Sequence, residues 1–149
     1  RSSDLAEMQV LYASSATYGA GTENDVTTPV ATAGIFPSNM LDDSLTPFNP
    51  WGGTVLVDEG PAAESFRVTF TNVPGDSCAK LIAGRSAGFG GNLCGIAVTE
   101  DGGATNTIDS AGGFGTTDCQ GDRPSITEID AIGACSSGTD QNDITWFFQ

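Results

Sequence analysis

The chain has 149 residues, 38% of them hydrophobic, and sets 19 acids against 5 bases with no histidine, for a net charge of −14. That length suits one domain over residues 1–149 with a real core, and aromatics in compact apolar segments (Trp51, Phe66, Phe70, Trp146, Phe147, Phe148) argue against intrinsic disorder. The acidic surface excludes a nucleic-acid partner, is repelled by anionic lipid headgroups, and suits solubility at high local concentration better than an acidic binding face.

Leu5, Met8 and Tyr12 fall at i, i+3 and i+7 with Leu11 beside them, which predicts an amphipathic N-terminal helix ending at Tyr18-Gly19-Ala20-Gly21. Asp4 and Glu7 have capping-box spacing, unless Asp4 is interior to a longer helix. Opening at Arg1 with almost no leader, the segment reads as a helix severed from something upstream, in a mature or truncated product. Thr28-Pro29 followed by Gly34 predicts a helix of one or two turns, with Thr28 as N-cap, Pro29 at its first position and Gly34 just past its end.

The turn cluster Asn49-Pro50-Trp51-Gly52-Gly53 opens onto a predicted strand, Thr54-Val55-Leu56-Val57. Ser65–Thr71 alternates cleanly, with Phe66, Val68 and Phe70 on one face and Arg67, Thr69 and Thr71 on the other, and the two strands are expected to pair as an antiparallel hairpin. The apolar face is expected to meet Leu5, Met8 or Tyr12 of the N-terminal helix. Pro74 starts a helix whose stripe is Cys78, Leu81 and Ile82. Leu93–Val98 reads as a strand, Asp101–Asp122 as loop with a short strand at Thr107-Ile108, and Ser125-Ile126-Thr127-Glu128 as the start of a helix carrying Ile126, Ile129 and Ile132. A strand over Asp143–Phe148 ends the chain, giving an α+β domain with a mainly antiparallel sheet.

Cys78, Cys94, Cys119 and Cys135 form an even set with no C-x-x-C spacing. Without histidine this argues against zinc and for two disulfides formed in an oxidising compartment. Spacing does not choose among the three possible connectivities.

Catalytic chemistry finds no constellation to rest on. The absence of histidine removes Ser-His-Asp and Cys-His arrangements. Asp42-Asp43 reads as a solvent-facing turn before Pro47 rather than a glycosidic carboxylate pair. Asp101, Asp109, Asp118 and Asp122 lack the register of a calcium loop, and Gly88–Gly91 and Gly112–Gly115 lack the G-K-[ST] ending of a phosphate loop. No catalytic residue, metal or cofactor is expected, and no apolar run reaches the ~18–20 residues of a membrane span.

The amphipathic first segment, Thr28–Gly34, Phe36-Pro37-Ser38, Asn49-Pro50-Trp51-Gly52-Gly53 before a strand, Val73-Pro74 with Cys78-Ala79-Lys80-Leu81, and Cys135 before the last strand occur in one order. In that order they resemble the PilS-type family of type IVb pilins, related to the toxin-coregulated pilin, over nearly the whole chain. The resemblance implies a type IV pilin-like fold, with the N-terminal helix packed on the sheet and a disulfide-stapled C-terminal region. It pairs Cys78 with Cys135, leaving Cys94 to join Cys119. It also implies an absent N-terminal hydrophobic half-helix that anchors the subunit in the inner membrane and later forms the filament core.

The function implied is polymerisation into an extracellular pilus on the bacterial surface, used for adhesion, aggregation or conjugative mating. The implied partners are further copies of the chain, the pilus assembly machinery, prepilin peptidase and a host-cell or recipient-cell receptor. Two alternatives are a minor pilin or type II secretion pseudopilin, and a secreted module whose acidic loops bind a ligand.

Overall fold

The computed structural model describes residues 25–59, 66–86, 93–100, 105–108, 133–135 and 141–148. The expected N-terminal helix with Leu5, Met8 and Tyr12, the helix from Ser125, and Cys119 lie outside these residues.

Helix α1 spans Thr27–Thr32 and buries Val30 and Ala31. It starts one residue earlier than the Thr28-Pro29 pair predicts. The N-cap is Val26, which makes no side-chain cap, while the Asp25 carboxylate accepts from the Thr27 N–H at 2.8 Å. Pro29 therefore sits in the third helical position, still within the first turn where its missing N–H has no partner to lose. Gly34, with φ of +77°, takes the left-handed conformation expected just past the helix end.

Five strands follow: β1 (Val55–Glu59), β2 (Phe66–Pro74), β3 (Leu93–Glu100), β4 (Thr105–Ile108) and β5 (Gln141–Phe148). They form one sheet in the order β1-β2-β5-β3-β4, antiparallel throughout. The last strand thus occupies the middle of the sheet, inserted between β2 and β3. The outer edge of β1 is covered rather than bare: Asp25 bridges Asp58, the Val26 N–H donates to the Val57 carbonyl at 2.8 Å, and the Val57 N–H donates to the Thr27 hydroxyl at 2.8 Å. Covering an edge in this way blocks indiscriminate strand addition.

One face of the sheet forms the core. Phe66 and Val68 of β2 lie across from Phe148 and Trp146 of β5, and the rings of Phe66 and Phe148 stack at 5.0 Å. Val55, Val57, Ile96, Val98 and Ile144 are wholly buried on the same face. Phe70 is only half-buried and meets Trp146 edge-on at 5.3 Å. The opposite face carries hydroxyl pairs between strands: Thr54 with Thr71, Thr69 with Thr145, and Thr99 with Thr105.

The alternation of β2 does not run unbroken. Between Phe70↔Ile144 and Val73↔Asn142 the strand carries one residue more than its partner, a β-bulge with Asn72 at φ of 59°. Since side chains alternate with a period of two, Val73 would otherwise point away from the core. The bulge turns it inward, where it is wholly buried. The Asn72 N–H donates to the Asp143 carboxylate at 3.1 Å, which holds the extra residue in place.

Helix α2 spans Gly75–Ser86 and leaves β2 directly. Its Cys78 and Ile82 are wholly buried against the sheet, and Leu81 packs at the margin of the same cluster, as its spacing predicts.

Candidate interaction surface

The loop between α1 and β1 folds back on itself twice. In the first reversal the Asp42 N–H donates to the Thr46 carbonyl and the Phe48 N–H to the Met40 carbonyl. The Asp42 carboxylate accepts from the Ser44 N–H at 2.9 Å and the Thr46 N–H at 2.8 Å, an Asx-type brace for the turn. At its tip stand Asp43, exposed, and Leu45, which is 46% exposed and held at φ of 60°. A left-handed conformation is uncommon for a residue with a β-carbon. Here the structure fixes an apolar side chain outward at a position where solvent offers it nothing.

The second reversal is the Asn49–Gly53 turn. Asn49 is 1% exposed. Its Oδ1 accepts from the Trp51 N–H at 3.1 Å and the Gly53 N–H at 3.0 Å, and its Nδ2 donates to the Thr71 carbonyl at 2.6 Å. Gly52 takes φ of +82°, and Gly53 lies so close to Thr71 that any β-carbon would overlap its carbonyl. Asn49, Gly52 and Gly53 therefore each have a local reason to be there, and together they hold Trp51 at the surface. Trp51 is 36% exposed, displayed at the surface rather than buried in the core.

Trp51 faces the outer stripe of α2. With Ser77, Lys80, Leu81 and Gly84 it lines an open groove of about 440 Å³. Those four helical residues fall at i, i+3, i+4 and i+7, one continuous face. The groove runs over Gly84, where a β-carbon would meet nothing within 4 Å. This groove is not predicted from the sequence. Its only signals were Gly84 within a helix and the second stripe beside Cys78 and Ile82.

Cys78 of α2 is bonded to Cys135, tying the wall of the groove to a segment 57 residues further on. This is the pair that the resemblance implied. For Cys94 only the backbone, within β3, is described, so the expected pairing with Cys119 falls outside the described residues. So do the candidate calcium acids Asp101, Asp109, Asp118 and Asp122 and the glycine-rich loops at 88–91 and 112–115. Among the described residues no three acids or cysteines converge on a point where a metal ion could sit. Asp42 and Asp43 do not act together: the carboxylate of Asp42 is committed to backbone N–H groups, while Asp43 faces solvent.

The profile of the PilS N terminal family matches residues 4–148 of the chain. Among solved structures, the type IV b pilin from Salmonella typhi is similar at a TM-score of 0.62 and 21% identity, covering 97% of this chain and 93% of that one. TcpA, a type IV pilin from the Vibrio cholerae El Tor biotype, is similar at a TM-score of 0.57 and 15% identity, covering 99% of this chain and 96% of that one. No curated protein matches the chain.

Proposed function

The chain belongs to the PilS N terminal family and has the fold of type IVb pilins, and on that footing we propose that it is a structural subunit of a bacterial type IVb pilus. The observation that carries this reading is the family match over residues 4–148, which takes in nearly the whole chain as one unit. In this reading residues 1–149 act as a single domain whose work is polymerisation with further copies of itself. The pilus assembly machinery and prepilin peptidase handle it on the way, and the finished filament lies outside the cell. Adhesion, aggregation and conjugative mating are the tasks such a filament serves, with a receptor on a host or recipient cell as the final partner.

The physical character of the domain supports this. A disulfide from Cys78 to Cys135 suits an oxidising exterior, and we extend the same reading to a second bond between Cys94 and Cys119. A net charge of −14 keeps an abundant subunit soluble before assembly. The described residues include no helix long and apolar enough to cross a membrane. With no histidine in the chain, its surface chemistry serves contact rather than turnover.

Immunogold labelling of surface filaments with antibody raised against this chain tests the proposal. Labelling along the filament shaft is expected, with the chain dominating the protein of a sheared filament preparation. Label confined to filament tips, with the chain scarce, would reassign it to a minor pilin. A lone extracellular monomer that binds a ligand would make it a secreted module instead.

A further inference from the structure

Resting on that pilus reading, we propose that the Asp43–Leu45 tip of one copy docks into the Trp51–Leu81 groove of the next, with Asp43 meeting Lys80, so that this contact joins heads in an open chain. The two surfaces lie at opposite ends of one loop. Residues 40–42 pair with 46–48, and residues 47–49 pair in turn with 53–55, through Phe48 N–H to Met40 carbonyl at 2.8 Å and Asn49 N–H to Gly53 carbonyl at 2.8 Å. Successive reversals in a meander turn at alternate ends. About five extended residues, or ~16 Å, therefore separate the Leu45 tip from the Trp51 turn. A knob at one end of this meander and a hole at the other do not meet within one copy. Between copies they form a heterologous contact, the kind that generates a ring or an open helical filament.

The chemistry of the two ends is complementary. The tip offers Leu45, exposed and held outward in a conformation that leucine rarely takes, beside Asp43, which is exposed and whose carboxylate has no hydrogen bond among the described residues. The groove offers the faces of Trp51 and Leu81 with a cation at its wall. That cation is scarce: copies bearing −14 each repel unless an acid finds a base. Of the two bases whose side chains are described, Arg67 is engaged with Asp58 at 3.2 Å, and Lys80 is exposed with no ion pair among the described residues. Lys80 is also the sole lysine of the chain. Gly84 leaves the floor of the groove open for the incoming leucine.

Carbodiimide coupling of filaments sheared from cells, with the joining peptides identified, reads this contact, because Lys80 is the one lysine within residues 1–149. The expected result is a ladder of covalent multimers whose joining peptides link Lys80 to Asp43, lost in both Lys80→Gln and Asp43→Asn. Gly84→Leu fills the groove without touching the core, so it should abolish the ladder while the thermal midpoint of the purified chain is kept or raised, as leucine favours the helix over glycine. Filaments that contain the chain but give no Lys80 ladder overturn the docking and leave the pilus reading standing. A ladder joining Lys80 to some acid other than Asp43 overturns the tip as occupant. Absence of the chain from filaments overturns both readings together.

Discussion

Asn49 donates through Nδ2 to the carbonyl oxygen of Thr71 at 2.6 Å, while its Oδ1 accepts two N–H groups of its own turn. One buried amide therefore welds the Trp51 turn to the second strand of the sheet. Removing it leaves a carbonyl and two N–H groups short of partners in a site with little water, at roughly 1–3 kcal/mol for each group that stays buried. Asn49→Ala should lower stability by about 3 kcal/mol, allowing for some relaxation of the turn toward solvent. Asn49→Asp keeps the acceptor but loses the donor and turns an anionic oxygen toward the Thr71 carbonyl, so it should not rescue. Urea denaturation of the three proteins checks this, and an unperturbed Asn49→Ala midpoint would show that the turn holds itself.

Two glycines, Gly53 in the Asn49–Gly53 turn and Gly84 in α2, should respond to the same substitution with opposite signs. Gly53 has no room for a β-carbon because the Thr71 backbone occupies it, whereas Gly84 has open space and helical surroundings. Gly53→Ala must push two strands apart, at about 1–3 kcal/mol or more. Gly84→Ala removes a flexible residue from a helix interior and should stabilise by about 0.5–1 kcal/mol. Thermal midpoints of the two variants should lie on opposite sides of the parent; a shared direction would mean that the close approach at Gly53 is not as drawn.

What could be read from the sequence was whatever depends on near neighbours. The Phe66, Val68 and Phe70 alternation, the antiparallel pairing of the first two strands, the Cys78–Ile82 stripe and the left-handed Gly34 all follow from local periodicity and turn chemistry. Insertion of the last strand between β2 and β3 does not, since Thr69 and Thr145 are 76 residues apart and no local pattern names a partner at that distance. The bulge at Asn72 was illegible for a related reason: it exists to keep Val73 in the core, and only the register with Asn142 reveals the extra residue. Of the interaction surface, the Asn49–Gly53 turn was visible as a turn. The outward direction of Trp51 was not, because a tryptophan in a short apolar segment looks the same whether buried or displayed.

The Cys78–Cys135 bond closes a long loop, with 57 residues separating its ends. On the chain-entropy account, which is one model among several, opening such a loop costs about 4 kcal/mol at 25 °C. The double variant Cys78→Ala/Cys135→Ala should lose about that amount while keeping the sheet, because β5 is paired on both sides without help from the bond. Its denaturant midpoint should fall with the far-ultraviolet dichroism of the native state preserved. A loss below about 1 kcal/mol would mean that the unfolded chain is already compact enough to make the link redundant.

Phe66 and Phe70 share a strand face, and from alternation alone they should be equals, each costing about 3–5 kcal/mol on truncation to alanine. The structure separates them. Phe66 is 2% exposed and stacked on Phe148 where the start of β2 meets the end of β5, so its removal opens a cavity closed to solvent. Phe70 is half-buried beside the bulge, with one edge of its ring on Trp146 and part of its surface still in water. Water can follow a truncated Phe70 into part of the vacated space, and less apolar area was buried there at the start. Phe66→Ala should therefore keep the full cost of about 3–5 kcal/mol, and Phe70→Ala should cost about 1–2 kcal/mol less. Paired urea titrations give the difference directly. Equal losses would place Phe70 as deep in the core as Phe66.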